Sequence, residues 1–347
     1  MKSMGHFHLI TCGTFSFNYD SARLSFSKEK PACISIRRIY GNSRIQKDII
    51  AHMSKNVKGA FLTLMGGVCW GLSGSMGQYL FDVKGMDAHW LVPIRLGAAG
   101  IILLLYSFLH NRRQTLEVWK GKDDRLQLIV YGLLGVSLCQ YLYFRTIQLS
   151  SAAVGTILQD LSPIFILLVE CIRFHRRPSF NEISAIVLAL TGVYLLTTHG
   201  TKGDAVPINA LITGVCCAVT VMIYNVVPEK LLQKYPVTML QGWAFLMGSV
   251  FFAIVFHIWT YSYTPDFVGI LGICFVVLVG NVMAFPLYMA GVHLIGPEKG
   301  ILYGFSEPAT AAIVTVAIFG SSFTVYDLIG FVCIFAMLAL ISRNKKD

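Results

Sequence analysis

From Gly59 onward the chain runs through ten apolar stretches of about 20 residues, each long enough to cross a bilayer as a helix. They lie near 59–81, 88–109, 126–146, 151–170, 181–199, 207–228, 237–257, 266–289, 297–319 and 324–342. The connections are too short to hold a soluble catalytic domain. A soluble domain carries about a quarter charged residues, whereas here the share is 13% against 55% hydrophobic. That balance excludes an ordinary soluble enzyme, a disordered chain and a nucleic-acid binder. The expectation is an all-α integral membrane protein of ten transmembrane helices.

The charges orient it. The segments on the N-terminal side hold sixteen cations, among them Lys58, Arg112, Arg113, Lys120, Arg176, Lys234, Lys299 and Arg343. The other side holds Lys84, Arg145 and Lys202. The positive-inside bias predicts N-in and C-in. Residues 1–52 are polar and basic with no apolar core of a leader, so they read as a disordered tail or as an upstream extension ahead of a start at Met53. The second reading is preferred. The nine cysteines give no disulfide framework or metal spacing, and neither metal nor cofactor is expected.

The second half repeats the first. Tyr143 to Pro163 reads YFRTIQLSSAAVGTILQDLSP and Tyr288 to Pro308 reads YMAGVHLIGPEKGILYGFSEP. An offset of 145 places Tyr143 on Tyr288, Gly155 on Gly300 and Pro163 on Pro308. Near the first spans the offset is 147, placing Gln78 on Asn225. The units divide as 53–199 and 206–347. Each holds five spans, an odd number, so the copies must be inverted relative to each other. That architecture belongs to secondary transporters, because two mirror-related packings can open to opposite sides.

These features resemble the drug/metabolite transporter superfamily in its EamA-type, ten-span branch. The likeness rests on Ala60 to Gly77 around Trp70, on Pro93-Ile94-Arg95, on Tyr143 through Pro163, on Gly192-Val193-Tyr194-Leu195-Leu196 and on Ser306-Glu307-Pro308. The family often ends spans 4 and 9 with Gly-Glu; here His175-Arg176 and Gly320-Ser321 stand there, so no role of those glutamates is carried over. The resemblance implies transport, and a bacterial plasma membrane as its place.

Buried ionisable groups are the first site candidates, since a charge at the bilayer centre costs at least about 2.5 kcal/mol. Glu307 falls near mid-span and shares a face with Gly300 and Gly304; Gln159 is on the matching face of span 4. Asp160 is as deep on another face, and Arg95 is placed to pair with Asp160 or Glu307, or to hold a substrate carboxylate. Pro163 and Pro308 each remove a backbone donor and are hinge candidates. Trp70, Tyr143 and Tyr303 offer aromatic faces, and Gln78 and Asn225 offer amides. Spans 1–4 and 6–9 are expected to enclose a cavity, with spans 5 and 10 outside as scaffold or dimer surface. The function expected is gradient-driven export or exchange of amino acids or similar polar metabolites, with a proton as the candidate coupling ion. The alternative is a proton-coupled importer of a quaternary amine such as choline, held by aromatic faces.

Overall fold

A computed structural model describes residues 7–11, 13–17, 43–198, 206–227, 229–296, 300, 303–320 and 324–343. Lys202, Lys299, most of the predicted 1–52 tail, the 199–205 linker and part of the predicted ninth span (297–299 and 301–302) lie outside the described residues. Within the stretch expected to be a disordered tail, β1 (Phe7–Thr11) pairs antiparallel with β2 (Gly13–Phe17), with Phe7 opposite Phe17.

The rest of the described chain is helical. The long helices are α1 (Ser43–Asp82), α2 (Ala88–Glu117), α3 (Lys122–Leu149), α4 (Ala152–Arg173) and α5 (Phe180–Thr198), then α6 (Ile208–Val226), α7 (Val237–Val255), α8 (Phe267–Ile295), α9 (Ser306–Phe319) and α10 (Val325–Arg343). Six of them, α2, α3, α4, α6, α7 and α8, are long and apolar enough to cross a membrane. Shorter apolar helices lie in α5, α9 and α10. The α1 window from Gly59 is diluted by its glycines and serines, small residues that let a neighbouring helix come close.

A core set of helix contacts recurs under an exchange of the two halves, while others, such as α1 on α3 and α2 on α3, have no comparable counterpart among the described residues. α1 packs on α8 and α9, while α6 packs on α3 and α4; α2 packs on α7, α4 on α9 and α5 on α10. Shifting every label by five returns the same set. Irregularities recur as well. Wider π-helical turns occupy Val130–Ser137 in α3 and Val276–Met283 in α8. The helix breaks at Asp160–Leu161 in α4 and at Phe305 ahead of α9, positions one repeat offset apart.

Two ion pairs mark opposite ends of the bundle. The Lys84 ammonium, between α1 and α2, donates to Asp266 ahead of α8 at 2.6 Å. At the far end of α2, beyond a kink at Asn111, Lys234 and Tyr235 between α6 and α7 donate to Asp124 at 2.5 and 2.8 Å. The first connector of each half is thus tied to the second connector of the other, at opposite ends.

Asp87 caps α2. Its carboxylate accepts the His89 backbone N–H at 2.7 Å, the His89 ring and the Gln148 amide at 3.3 Å. Partial burial pushes this carboxyl up, but the His89 and Gln148 hydrogen bonds outweigh it and hold the group below its ordinary value of 3.8. A depressed carboxyl stabilises the fold fully above that ordinary value and loses its contribution as pH falls through the folded value. Asp87→Ala is expected to cost about 1 kcal/mol at neutral pH, the gap to wild type closing in acid. Thermal unfolding of both proteins at neutral and acid pH checks this; a constant gap counts against it.

Candidate functional site

A cavity lies among α1–α4 and α6–α9, with no residue of α5 or α10 in its wall. It offers about 80 Å³ to the centres of water-sized groups. One water needs about 10–15 Å³ by that measure, so a small solute or a handful of waters fits. Helices α5 and α10 pack on each other. Ile183, Val187, Leu190 and Tyr194 of α5 recur at helical spacing and are exposed, an apolar stripe fit for lipid.

Arg95 reaches the cavity from α2 and is 1% exposed. Its Nη2 donates to Gln140 Oε1 of α3, and its Cζ lies 3.5 Å from the Phe144 ring centroid. Its Nε has no hydrogen-bond partner, and no ion pair among the described residues includes it. The sequence expectation that Arg95 pairs with Asp160 or Glu307 is therefore corrected. The amide of Gln140 and the face of Phe144 hold the guanidinium without neutralising it, and the charge remains available to the cavity.

Glu307 lines the same cavity and is 5% exposed. It is the second residue after the break at Phe305, in the positive first turn of α9. The approach of α1 sets this position. A Cβ on Gly71 would sit 2.6 Å from the Glu307 carbonyl, so only glycine allows the two backbones to meet here. Pro163 and Pro308 fall in the first turn of the segments that follow the two breaks. A missing N–H costs nothing there. The bends themselves lie two to three residues earlier, at Asp160–Leu161 and Phe305.

Trp70, Tyr143 and Gln159 also line the cavity. The Trp70 ring packs against Tyr288 and Phe285, with centroids 5.2 and 6.4 Å apart. Other predicted residues do different work. The Gln78 Oε1 accepts the Ala152 backbone N–H at 2.9 Å, satisfying an orphan donor at the start of α4. Asn225 donates to the Val221 carbonyl of its own helix at 2.6 Å. Tyr303 is 37% exposed and outside the cavity wall, and Asp160 ends the first half of α4 away from it.

Gln140, Phe144, Ser73 and Phe285 belong to the cavity and were missed by sequence reasoning; Asn281 belongs to it too. The repeat held a signal for some of them. At the 145 offset Gln140 falls on Phe285 and Val136 on Asn281, and all four line the cavity. The buried Asn281 Nδ2 has no hydrogen-bond partner and is open to a ligand acceptor.

Apolar helices of spanning length around a cavity lined by aromatic and polar side chains define a multi-pass membrane protein of the transporter class. Comparison with known proteins agrees. The EamA-like transporter family model matches twice, over residues 57–198 and 208–343. The chain belongs to the EamA-like transporter family, within the drug/metabolite transporter superfamily.

Its relatives include a Salmonella typhimurium protein described as the uncharacterized inner membrane transporter YicL. The two are 30% identical over 295 residues, covering 85% of this chain and 98% of YicL. An uncharacterized transporter of Archaeoglobus fulgidus is 24% identical, covering 66% of this chain and 78% of its own. The Bacillus subtilis uncharacterized transporter YyaM is 22% identical, covering 68% and 78%. A solved crystal structure shares the fold at a TM-score of 0.58 and 15% identity, covering 85% of this chain and 98% of that one.

Proposed function

We propose that this protein is a gradient-driven secondary transporter of small solutes that carry both a carboxylate and a cationic group, amino acids or close relatives, exported or exchanged by alternating access. One observation carries the reading. Among the described residues Arg95 pairs with no carboxylate, although Glu307 lines the same cavity. A guanidinium fork binds a carboxylate in two parallel hydrogen bonds, and an acid across the cavity suits an ammonium. One solute then reaches both residues from the same cavity.

The arrangement proposed is ten spans in two inverted five-helix units, with both termini inside and α5 and α10 as scaffold or dimer surface. The exchange-symmetric helix contacts, the ion pairs at opposite ends and the loop cations support it. Access from either end requires the strap at that end, Lys84–Asp266 or Lys234–Asp124, to part. The description of YicL as an inner membrane transporter supports a bacterial inner membrane as the location.

A thermal-shift screen of the purified protein against amino acids, amines, nucleosides and sugars comes first, since a solute that binds the folded state raises its melting temperature. The best hit is then tested for counterflow in proteoliposomes without ATP. Stabilisation by nucleosides or sugars alone rejects the reading. If Glu307 also takes the coupling proton, Glu307→Gln flattens the dependence of flux on pH. A Glu307→Gln profile that follows the wild type removes Glu307 from coupling.

The cluster of Trp70 with Tyr288 and Phe285 favours a second reading, proton-coupled import of a quaternary amine. The charge of Arg95 opposes it, because such an amine brings no anion. Stabilisation by choline above that by any amino acid selects this reading instead.

A further inference from the structure

We infer that Cys139 and Cys217 form a thiol pair that peroxide converts to a disulfide bridging the two halves of the transporter beside its cavity. Cys139 is on α3 of the first half, and Cys217 is on α6 of the second. Their sulfurs are 3.7 Å apart, and the Cys217 thiol also lies 3.5 Å from the Cys139 carbonyl. Both thiols are unlinked and buried. The sulfurs are already in contact, and the bond brings them about 1.7 Å closer.

The two thiols differ in access, which sets the order of chemistry. Cys139 lines the cavity and is the thiol a small oxidant entering there meets; Cys217 is fully buried behind it. The Gln159 Oε1 lies 3.9 Å from the Cys139 sulfur and 3.6 Å from that of Cys217, and accepts from the thiols. Cys139 attacks hydrogen peroxide, breaking the O–O bond; it becomes a sulfenic acid and one water leaves. The Cys217 sulfur then attacks that of Cys139, the S–O bond breaks, and a second water leaves with the Cys217 proton. Two thiols are oxidised by two electrons and one peroxide is reduced to two waters. A reacting thiol on the cavity wall beside a resolving one is the arrangement that stops at the reversible step.

The position gives the bond its consequence. α3 and α6 come from different halves, and their interface also holds the 2.9 Å hydrogen bond from the Thr146 hydroxyl to Thr213. Movement of one half against the other shears this interface, and a covalent link across it resists that shear. At the repeat offsets of 145 and 147 the counterparts of Cys139 and Cys217 are Ala284 and Trp70, so the lock exists on one side of the bundle only.

The test needs no transported solute. Purified full-length protein is treated with hydrogen peroxide, alkylated with N-ethylmaleimide, digested and weighed, with and without dithiothreitol before alkylation. The expected result is a peptide pair joining Cys139 to Cys217, lighter than its sum by two hydrogens. Labelling of both cysteines is lost together and returns with dithiothreitol. In Cys217→Ser, Cys139 stops at the sulfenic acid and is trapped by dimedone. Peroxide that drives Cys139 to sulfinic acid while Cys217 stays labelled overturns the proposal, as does a link from either residue to another cysteine. Two unmodified thiols under peroxide that oxidises glutathione also overturn it. The wild-type result decides the matter even if the variant fails to fold.

Discussion

Arg95→Ala is expected to abolish binding of a carboxylate-bearing solute while leaving the fold as stable as the wild type or more so. The two halves of that expectation come from one fact. The guanidinium is buried to 1% exposure and has an amide and an aromatic face for company, but no anion. A charge held this deep costs at least about 2.5 kcal/mol, so its removal relieves the empty protein. In the loaded protein it supplies the one cation among the described lining residues of the cavity. Losing a buried charge-assisted pair costs about 2–5 kcal/mol, and the lower half of that range already weakens binding about 100-fold. Arg95→Lys keeps the charge but loses the planar fork, and restores only part of the affinity. Calorimetry with the best solute from the thermal-shift screen measures both. A variant that binds the solute as the wild type does ends the carboxylate assignment. A large loss of thermal stability in Arg95→Ala without solute makes Arg95 a structural cation instead.

Gly291→Val is expected to destabilise the protein by about 3 kcal/mol or more, at or above the upper end for overpacking. Gly291 of α8 faces α1. A Cβ there would fall 2.5 Å from the Thr63 backbone nitrogen and 2.6 Å from the Gly59 carbonyl oxygen. Both atoms are main chain in a helix and cannot rotate away, so the helices must separate. Lipid tails are as apolar as leucine, so helix association in a membrane depends on close packing of this kind. Gly97→Ala is the control. Its Cβ meets the Ser249 hydroxyl at 2.7 Å, an atom that turns aside with its own side chain. Melting temperature and monodispersity in detergent should fall sharply for Gly291→Val and little for Gly97→Ala. Equal behaviour of the two would show that the α1–α8 approach is loose.

Five of the predicted residues, Arg95, Trp70, Tyr143, Gln159 and Glu307, line the cavity. They were legible because a polar or aromatic group inside an apolar run has few other uses. Gln78 and Asn225 looked the same in the sequence, but the Gln78 Oε1 accepts from Ala152 and the Asn225 amide donates to Val221 of its own helix. Which amide meets an orphan backbone group depends on where another helix begins, and no periodicity carries that. Tyr303 and Asp160, also candidates, are not among the lining residues. Both sit beside helix breaks, and each π turn in α3 and α8 adds a residue to its turn. A face extrapolated at 3.6 residues per turn drifts by about 100° for each added residue. The partnership of Arg95 with Gln140 and Phe144 was equally invisible, since it spans α2 and α3.

The sequence by itself determined the solvent this chain folds in, the segments that become helices, the duplication and the prolines beside each break, because hydrophobicity, length and backbone chemistry are local properties. Only the tertiary structure decided which polar side chains face one another across the cavity and which are consumed in packing. That choice is set by helix approach distances and by the rotation at breaks and π turns, quantities that exist only once separate helices touch.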